Sequence, residues 1–462
     1  MNAIIVSALS GVLMMFSGIW IKNRSAITNI AVMSLLLLVV ANLLNTYGIW
    51  VIHVNTHGML LVQKFGLYFN TLAFMATLVY VLLSGRDMEN TGANVAEYYA
   101  LIFFVLCGLS ILTSFNGLLM LFLGIEILSI PLYILTGADK KNLRSNEASL
   151  KYFLMGCFST GILLMGITLI YGATGSFAFG HTVVSATTGG PVSASFLEIA
   201  GILLVFVSMA FKVSAAPFHF WTPDVYDGAP SVVTSFMATI VKMAGFLAFI
   251  RLFSEHTAAL GPTWKIVMIF VIIATLLVGN ITAVFQQSVK RMLAYSSIAQ
   301  AGFMLFALYS DNDLAKEGIL LYTVAYSLAT IGIFAILIKM KDYTFDGFNG
   351  LAKTRPVLAA TNAVFLLSLA GIPLTAGFFA KYYMLASAVK AGGSLWLVII
   401  AVVFAAVSAY YYFRVIQAMY FKEGNPSVAP TGKTFHAMLI LTAAIIILVG
   451  LYPSVVLNFL FF

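Results

Sequence analysis

Four charged side chains lie deep inside long apolar stretches of this sequence: Glu126, Lys212, Lys242 and Lys381. A carboxylate and an amine can each bind and release a proton. A lysine that is removed from water can lose its proton near neutral pH, because burial disfavours the charged form. If the fold brings these four groups within reach of one another, they could pass protons along a buried path.

The composition places these charges in a membrane. The chain has 462 residues, of which 61% are apolar and only 9% are charged. A soluble domain carries about 25% charged residues, so a water-soluble protein is excluded. The basic residues are scattered rather than clustered, which excludes nucleic-acid binding. The apolar runs exceed the roughly 9–11 residues of a barrel strand, and the sequence therefore predicts an all-α integral membrane protein.

The apolar stretches of about 20 residues predict fourteen transmembrane spans. Their approximate limits are 2–21, 27–47, 60–84, 97–114, 116–136, 148–172, 196–222, 231–253, 264–284, 289–309, 317–339, 357–389, 395–420 and 435–460. No basic region precedes the first span, so we interpret it as a spanning helix rather than a removable signal. With the N-terminus outside, the cytoplasmic connections hold 15 of the 24 basic residues and the outer connections hold 5. The positive-inside rule thus predicts that both termini lie outside.

Two of the predicted spans combine a proline with a buried lysine. Pro217 follows Lys212 in span 7, and Pro373 precedes Lys381 in span 12. Proline removes a helical hydrogen bond, and freed backbone at membrane depth is tolerated where it is buried in protein or lines water. We therefore predict that helices 7 and 12 are broken. Simple proline kinks are the alternative.

The spacing of the two predicted breaks indicates an internal repeat. They are five spans apart, and a shift by an odd number of spans inverts the topology. This predicts two inverted five-helix repeats, spans 4–8 and 9–13, as in many transporters. The predicted divisions are an N-terminal three-helix segment, residues 1–96, the first repeat, 97–253, the second repeat, 254–420, and a C-terminal helix 14 within 421–462.

The cost of burying charge decides what each group is expected to do. A charge at the bilayer centre costs at least about 2.5–3.5 kcal/mol. Glu126 and Lys212 could form a structural ion pair, or a pair that loads and unloads the lysine. Lys242 and Lys381 are left without an acid, which favours a proton-carrying role. Lys151, near the start of span 6, either snorkels to the surface or joins the path.

The cysteines and glycines predict that this chain holds no metal or cofactor. Cys107 and Cys157 are the only cysteines, and neither belongs to a CxxC motif. The glycines form no nucleotide-binding fingerprint. Neither an iron–sulfur cluster nor a zinc site can be built from this set. Any redox chemistry connected with the protein is therefore expected on a partner.

One stretch of the sequence is specific enough to indicate a family. Residues 210–231, AFKVSAAPFHFWTPDVYDGAPS, closely resemble the signature of the antiporter-like subunits of respiratory complex I, a family that includes Mrp-type sodium/proton antiporter subunits. Lys242 in TIVKMAG and the surroundings of Glu126 and Lys381 fit the same family. The resemblance covers spans 4 to 13.

The resemblance implies a role for each buried charge. Glu126 and Lys212 would form a switchable pair in a first half-channel, Lys242 would be the central relay, and Lys381 would be the proton-loading lysine of a second half-channel. Further groups and water would bridge the gaps. The candidates are Lys151, Ser214, His219, Thr239, Tyr322, Tyr326 and Thr330. Each hydroxyl has packing or helix capping as its alternative role.

Two features favour the branch of N-type subunits within this family. These are Lys381, where M subunits usually carry glutamate, and ASLKYFL at residues 148–154. The resemblance then implies a non-redox translocase subunit in the inner membrane of a bacterium. It would lie between subunits K and M, while NADH, FMN, iron–sulfur clusters and quinone belong to partner subunits. A subunit of an Mrp antiporter or a membrane-bound hydrogenase is the alternative, followed by a solute transporter or scaffold.

Overall fold

The chain folds into long helices packed side by side. The computed structural model describes residues 1–92, 94–178, 195–254, 257–392 and 395–458, and these contain no strand. The helices of the first half are α1 (Asn2–Trp20), α2 (Arg24–Thr46), α3 (Lys64–Ser84), α4 (Val95–Leu112), α5 (Leu118–Thr136), α6 (Leu143–Thr174), α7 (Phe196–Lys212), α8 (Trp221–Gly228), α9 (Ser231–Phe236) and α10 (Lys242–Ser254).

The second half continues in the same way. Its helices are α11 (Thr257–Val284), α12 (Val289–Met304), α13 (Phe306–Ser310), α14 (Asp313–Lys339), α15 (Leu351–Thr354), α16 (Pro356–Ala370), α17 (Ala376–Lys390), α18 (Leu395–Phe421), α19 (Lys433–Leu451) and α20 (Ser454–Leu457). A π-helical turn, Met237–Val241, joins α9 to α10. The predicted all-α class is confirmed.

Twelve helical segments of the described residues are long and apolar enough to cross a membrane. Two further apolar segments are interrupted: α7 ends at Lys212 and α8 begins at Trp221, while α16 ends at Ala370 and α17 begins at Ala376. The predicted count of fourteen requires each interrupted pair to cross as one span. That count, the inverted repeats and the division into four segments remain predictions.

The helix ends differ from the predicted spans mainly at proline. The last span was expected to continue to residue 460, but α19 ends at Leu451, just before Pro453. Proline has no N–H to continue the helical hydrogen bonds. Pro131, in contrast, lies inside an unbroken α5. The predicted loop 172–195 begins with the end of α6, and its residues 179–194 lie outside the described part of the chain.

The core is built around two spans that are buried along their length, 231–254 and α14. Helix α14 packs against α16 and α17 on one side and α3 on another. At its end, Lys339 Nζ lies 2.5 Å from Asp87 Oδ1, in the short helix that follows α3. The N-terminal helices are thereby tied to the second half of the chain, and the polar side chains in the middle of α14, residues 322–330, are enclosed by protein.

Candidate functional site

The first interruption leaves Lys212 at the end of a helix. Ser214 has a φ of +65°, and its hydroxyl accepts a hydrogen bond from Thr222 Oγ1 at 2.7 Å. The amide of Ala216 donates to Thr275 Oγ1 at 2.9 Å. The Thr275 hydroxyl thus satisfies one backbone amide of the segment in which Pro217 interrupts the helix. Residues 213–216 are buried inside the bundle, whereas Pro217 and Phe220 are exposed at its surface.

Glu126 and Lys212 bind two different hydroxyls and are not in direct contact. Lys212 Nζ donates a hydrogen bond to Ser129 Oγ, one turn after Glu126 on α5. The carboxylate of Glu126 accepts a hydrogen bond from Thr160 Oγ1 of α6 at 2.8 Å. Among the described residues, no ion pair within 4.0 Å includes either charge. The expected direct ion pair is therefore open in this structure.

Lys242 lies deeper in the bundle, with 2% of its surface exposed. It follows the π-helical turn, and its amine donates to the carbonyl oxygen of Ser297 at 2.9 Å and to the Ser297 hydroxyl. The same amine lies 6.0 Å from the ring centre of Tyr226. A Cβ added at Gly245, one turn along α10, would lie 3.8 Å from Cγ of Lys212. The side chain of Lys212 therefore lies beside the first turn of α10, which begins at Lys242.

The polar face of α12 connects Lys242 to the second interruption. Ser296 and Gln300 stand beside Ser297 on this helix, and both bind the hydroxyl of Tyr412. The Gln300 amide also donates to the carbonyl of Leu369 at 2.9 Å and accepts from the hydroxyl of Tyr322. Leu369 belongs to the last turn of α16, so the hydrogen bonds of Gln300 reach the second break, while Ser297 one turn earlier on α12 binds Lys242.

Lys381 belongs to α17 but turns back towards the end of α16. Its amine donates to the carbonyl oxygen of Ala370 at 3.0 Å and lies 4.7 Å from the ring centre of Phe303 on α12. Gly371 has a φ of +83°, and a Cβ there would lie 3.0 Å from Cδ of Lys381. The second break therefore supplies the lysine with a freed carbonyl oxygen, where a continuous helix would have none to offer.

The smaller relay candidates fall into two groups. Ser214, Thr239 and Tyr322 have protein partners, Thr239 through the carbonyl of Ser235 at 2.6 Å. The buried atoms without a hydrogen-bond partner include His219 Nδ1, Tyr326 Oη, Thr330 Oγ1, Ser235 Oγ and Ser327 Oγ. Buried polar groups normally have a partner, which can be an ordered water. The second group therefore indicates where the interior could hold water.

Lys151 lies outside this row, at the surface. Its amine forms ion pairs with Glu147 at 2.8 Å and Asp224 at 3.3 Å, and Asp224 also binds Arg291 at 3.1 Å. These side chains are about half exposed. Lys290 next to them is buried and donates to the carbonyl oxygens of Asp227 and Ala229. Its position near a predicted helix end concealed that burial in the sequence.

The residues of the site that the sequence did not single out are mostly hydroxyls and amides. They are Ser129, Thr160, Ser296, Ser297, Gln300 and Tyr412. All are polar residues inside apolar spans, which is a weak signal because such residues commonly bind their own helix. In the described ranges, no group of three or more His, Cys, Asp or Glu side chains could hold a metal ion.

Comparison with known proteins agrees with this architecture. The profile of the family described as "NADH:quinone oxidoreductase/Mrp antiporter, TM" matches residues 114–408. A chain in the solved respiratory complex I of Thermus thermophilus superposes with a TM-score of 0.84 at 32% identity, covering 99% of this chain and 98% of that one. A chain of an archaeal membrane-bound sulfane sulfur reductase superposes with a TM-score of 0.87 at 25% identity, over 99% of this chain and 95% of its own.

The chain belongs to the family of antiporter-like membrane subunits of NADH–quinone oxidoreductase. Within the family the similarity is to N subunits: NADH-quinone oxidoreductase subunit N of Cytophaga hutchinsonii is 40% identical over 464 residues, 99% of each chain. The protein is thus a multi-pass membrane protein of the antiporter-like class, as the resemblance of residues 210–231 indicated.

Proposed function

We propose that this chain translocates protons through the row Glu126, Lys212, Lys242 and Lys381. The observation that carries the proposal is the row of buried polar side chains on α12. Ser297 binds Lys242, and Gln300, one turn later, binds the carbonyl of Leu369, one residue before the carbonyl that binds Lys381. Amines at the bilayer interior are costly and are retained mainly where they line ion or proton paths.

The open pair at the start of the row suggests how a proton would be loaded. Glu126 approaching Lys212 would favour the charged amine, and the separated arrangement would favour release of its proton. Ser129 binds Lys212 and lies one turn from Glu126. Its hydroxyl can therefore stay bonded to Lys212 in both arrangements. The released proton would pass to Lys242, whose bonded partner among the described residues is Ser297 rather than a carboxylate.

Partners would supply the energy for this movement. The names of the N-subunit relatives support assembly with other membrane subunits of complex I, and we propose subunits K and M as the neighbours. NADH, FMN, iron–sulfur clusters and quinone would be bound by partner subunits. We further propose the inner membrane of a bacterium, with both termini outside.

Glu126 lies where a neighbour is needed. It is half-buried, and Leu123 and Ile130 on the same face of α5 are exposed, as is Phe158 on α6. A carboxylate facing hydrocarbon is unfavourable. A neighbouring subunit that covers this face would shield Glu126 from lipid. A charged side chain of that subunit would then act on Glu126, the first group of the row.

Assembly is tested by purifying the tagged protein from its native membranes in mild detergent. We expect recovery together with NADH–quinone reductase subunits that contain flavin and iron–sulfur clusters. Recovery with small membrane subunits only, and sodium-dependent transport, would favour an Mrp-type antiporter. A membrane-bound hydrogenase would be recognised by recovery of a hydrogenase subunit.

The first pair gives a test of the row. Lys212→Ala or Glu126→Ala should abolish or strongly reduce proton translocation in membrane vesicles, because each removes one of the two groups that would load the proton at the start of the row. Assembly should persist. Intact translocation in both variants would show that these groups have only a structural role. Lys141→Ala, in an exposed connection, is the matched control.

The bridge on α12 gives a second test. Gln300→Leu would leave the hydroxyl of Tyr322 and the carbonyl of Leu369 without their partner. We expect a loss of about 1–3 kcal/mol in stability and slower proton translocation. Asn280→Leu is the control, because this buried amide binds Tyr411 and a carbonyl of its own helix rather than the Tyr322 hydroxyl and the Leu369 carbonyl. Equal translocation in the two variants would argue against a bridging role.

A further inference from the structure

A groove of about 660 Å³ opens between α4, α5 and α6, away from the row of lysines. It lies where α4 begins and α5 ends, at the membrane surface that the basic residues predict to be cytoplasmic. Its wall includes Ile134, Leu150 and Phe153, whose side chains are 46–58% exposed. Large apolar side chains at this depth, beside an open groove, suit a hydrocarbon chain.

The rim of the groove carries two opposite charges. Lys140 and Glu97 both line it and both are exposed. Asn94 Nδ2 donates to Glu97 Oε1 at 3.0 Å, and Asn146 Nδ2 donates to the carbonyl of Lys140 at 3.0 Å. Each amide thereby holds part of the rim in place. No ion pair within 4.0 Å includes either charge in the part of the chain that the structure describes.

We propose that this groove binds one phospholipid with an ethanolamine headgroup. Lys140 would bind the phosphate and Glu97 the ammonium group, while the acyl chains lie along Ile134, Leu150 and Phe153. An anionic glycerol headgroup would satisfy Lys140 but leave Glu97 beside a phosphate of like charge. The pair of opposite charges therefore selects a zwitterionic lipid over an anionic one.

The position of the groove keeps the lipid away from Glu126. Ile134 lies eight residues after Glu126 on α5, a rise of about 12 Å along the helix. The acyl chains would lie along Ile134 near the membrane surface and leave the face around Glu126 to the neighbouring subunit proposed above. Binding of the lipid does not depend on proton translocation, so the two proposals can fail separately.

The charge selection is tested by native mass spectrometry of the full-length purified protein, titrated with dioleoylphosphatidylethanolamine or dioleoylphosphatidylglycerol. The first ethanolamine lipid should bind more tightly than the first glycerol lipid. Lys140→Gln should weaken both by about two- to fivefold, the size expected for an exposed ion pair. Glu97→Gln should weaken the ethanolamine lipid and remove the preference. Lys141→Gln, next to Lys140 but outside the groove, should change neither.

The shape of the groove is tested by a size change without a charge change. Leu150→Trp should fill the groove and weaken binding of both lipids, whereas Leu154→Trp, equally exposed one turn further along α6, should not. Equal affinity for the two lipids in the unmodified protein would overturn the proposal. So would identical behaviour of Lys140→Gln and Lys141→Gln. If Lys140→Gln instead lowers recovery of a neighbouring subunit while lipid binding is unchanged, the groove is a protein interface.

Discussion

Lys242→Ala is expected to abolish proton translocation while the complex still assembles. Among the described residues, the amine of Lys242 donates to the carbonyl and the hydroxyl of Ser297, and no second amine or carboxylate is bonded to these groups. Lys242 lies between the side chain of Lys212 and the polar face of α12. Fluorescence quenching by a pH-sensitive dye in inverted membrane vesicles would measure the loss.

Two further substitutions separate proton exchange from a structural positive charge. Lys242→Arg keeps the charge, but an arginine side chain does not release its proton in proteins; it should be as defective as Lys242→Ala. Lys242→His keeps a group that titrates near neutrality and should retain part of the translocation. If arginine restores translocation and histidine does not, Lys242 supplies a fixed charge and the relay proposal is wrong. Subunit recovery from detergent controls for assembly.

Gly377→Ala is expected to produce the largest structural change. The two halves of the second interruption meet at this residue: a Cβ there would clash with the carbonyl oxygen of Ser368, and the Gly377 amide donates to Ser368 Oγ at 3.2 Å. The helix α17 would have to move away from α16. Overpacking of this kind costs about 1–3 kcal/mol or more, and the midpoint of thermal unfolding in detergent should fall by several degrees.

The same movement should also impair translocation. Lys381 is one turn after Gly377 and binds the carbonyl of Ala370 across the break, so displacement of α17 would separate the amine from its acceptor. Gly161→Ala is the matched control, because a Cβ there meets nothing within 4 Å. Alanine is also the better helix former by roughly 0.5–1 kcal/mol. Equal thermal midpoints for the two variants would contradict the close packing at Gly377.

The sequence predicted the large features of this protein for simple physical reasons. Long apolar runs can only be membrane helices, and a charge within such a run has few roles. The position of Lys212 beside Pro217 also indicated where helix α7 ends. The family followed from residues 210–231, which combine a lysine, a break and a run of aromatic and acidic residues in one specific order.

The geometry between the charges could not be predicted in the same way. Ser129 and Gln300 have no unusual spacing, and their roles depend on which helices pack together. The burial of Lys290 depends on the end of α8 and the residue after it, because its amine binds the carbonyl oxygens of Asp227 and Ala229. Lys151 had two open interpretations, and only the folded chain places it among Glu147, Asp224 and Arg291 at the surface.

The central claim is that Lys212 and Lys381 act in one path, although they lie in different halves of the chain. The most direct measurement is the number of protons translocated per NADH oxidised by the purified complex in proteoliposomes. Lys212→Ala, Lys381→Ala and the double variant should lower this number equally, because residues that act as one unit are not additive. Unchanged numbers in the single variants, or a double variant whose loss is the sum of two partial losses, would contradict a single path.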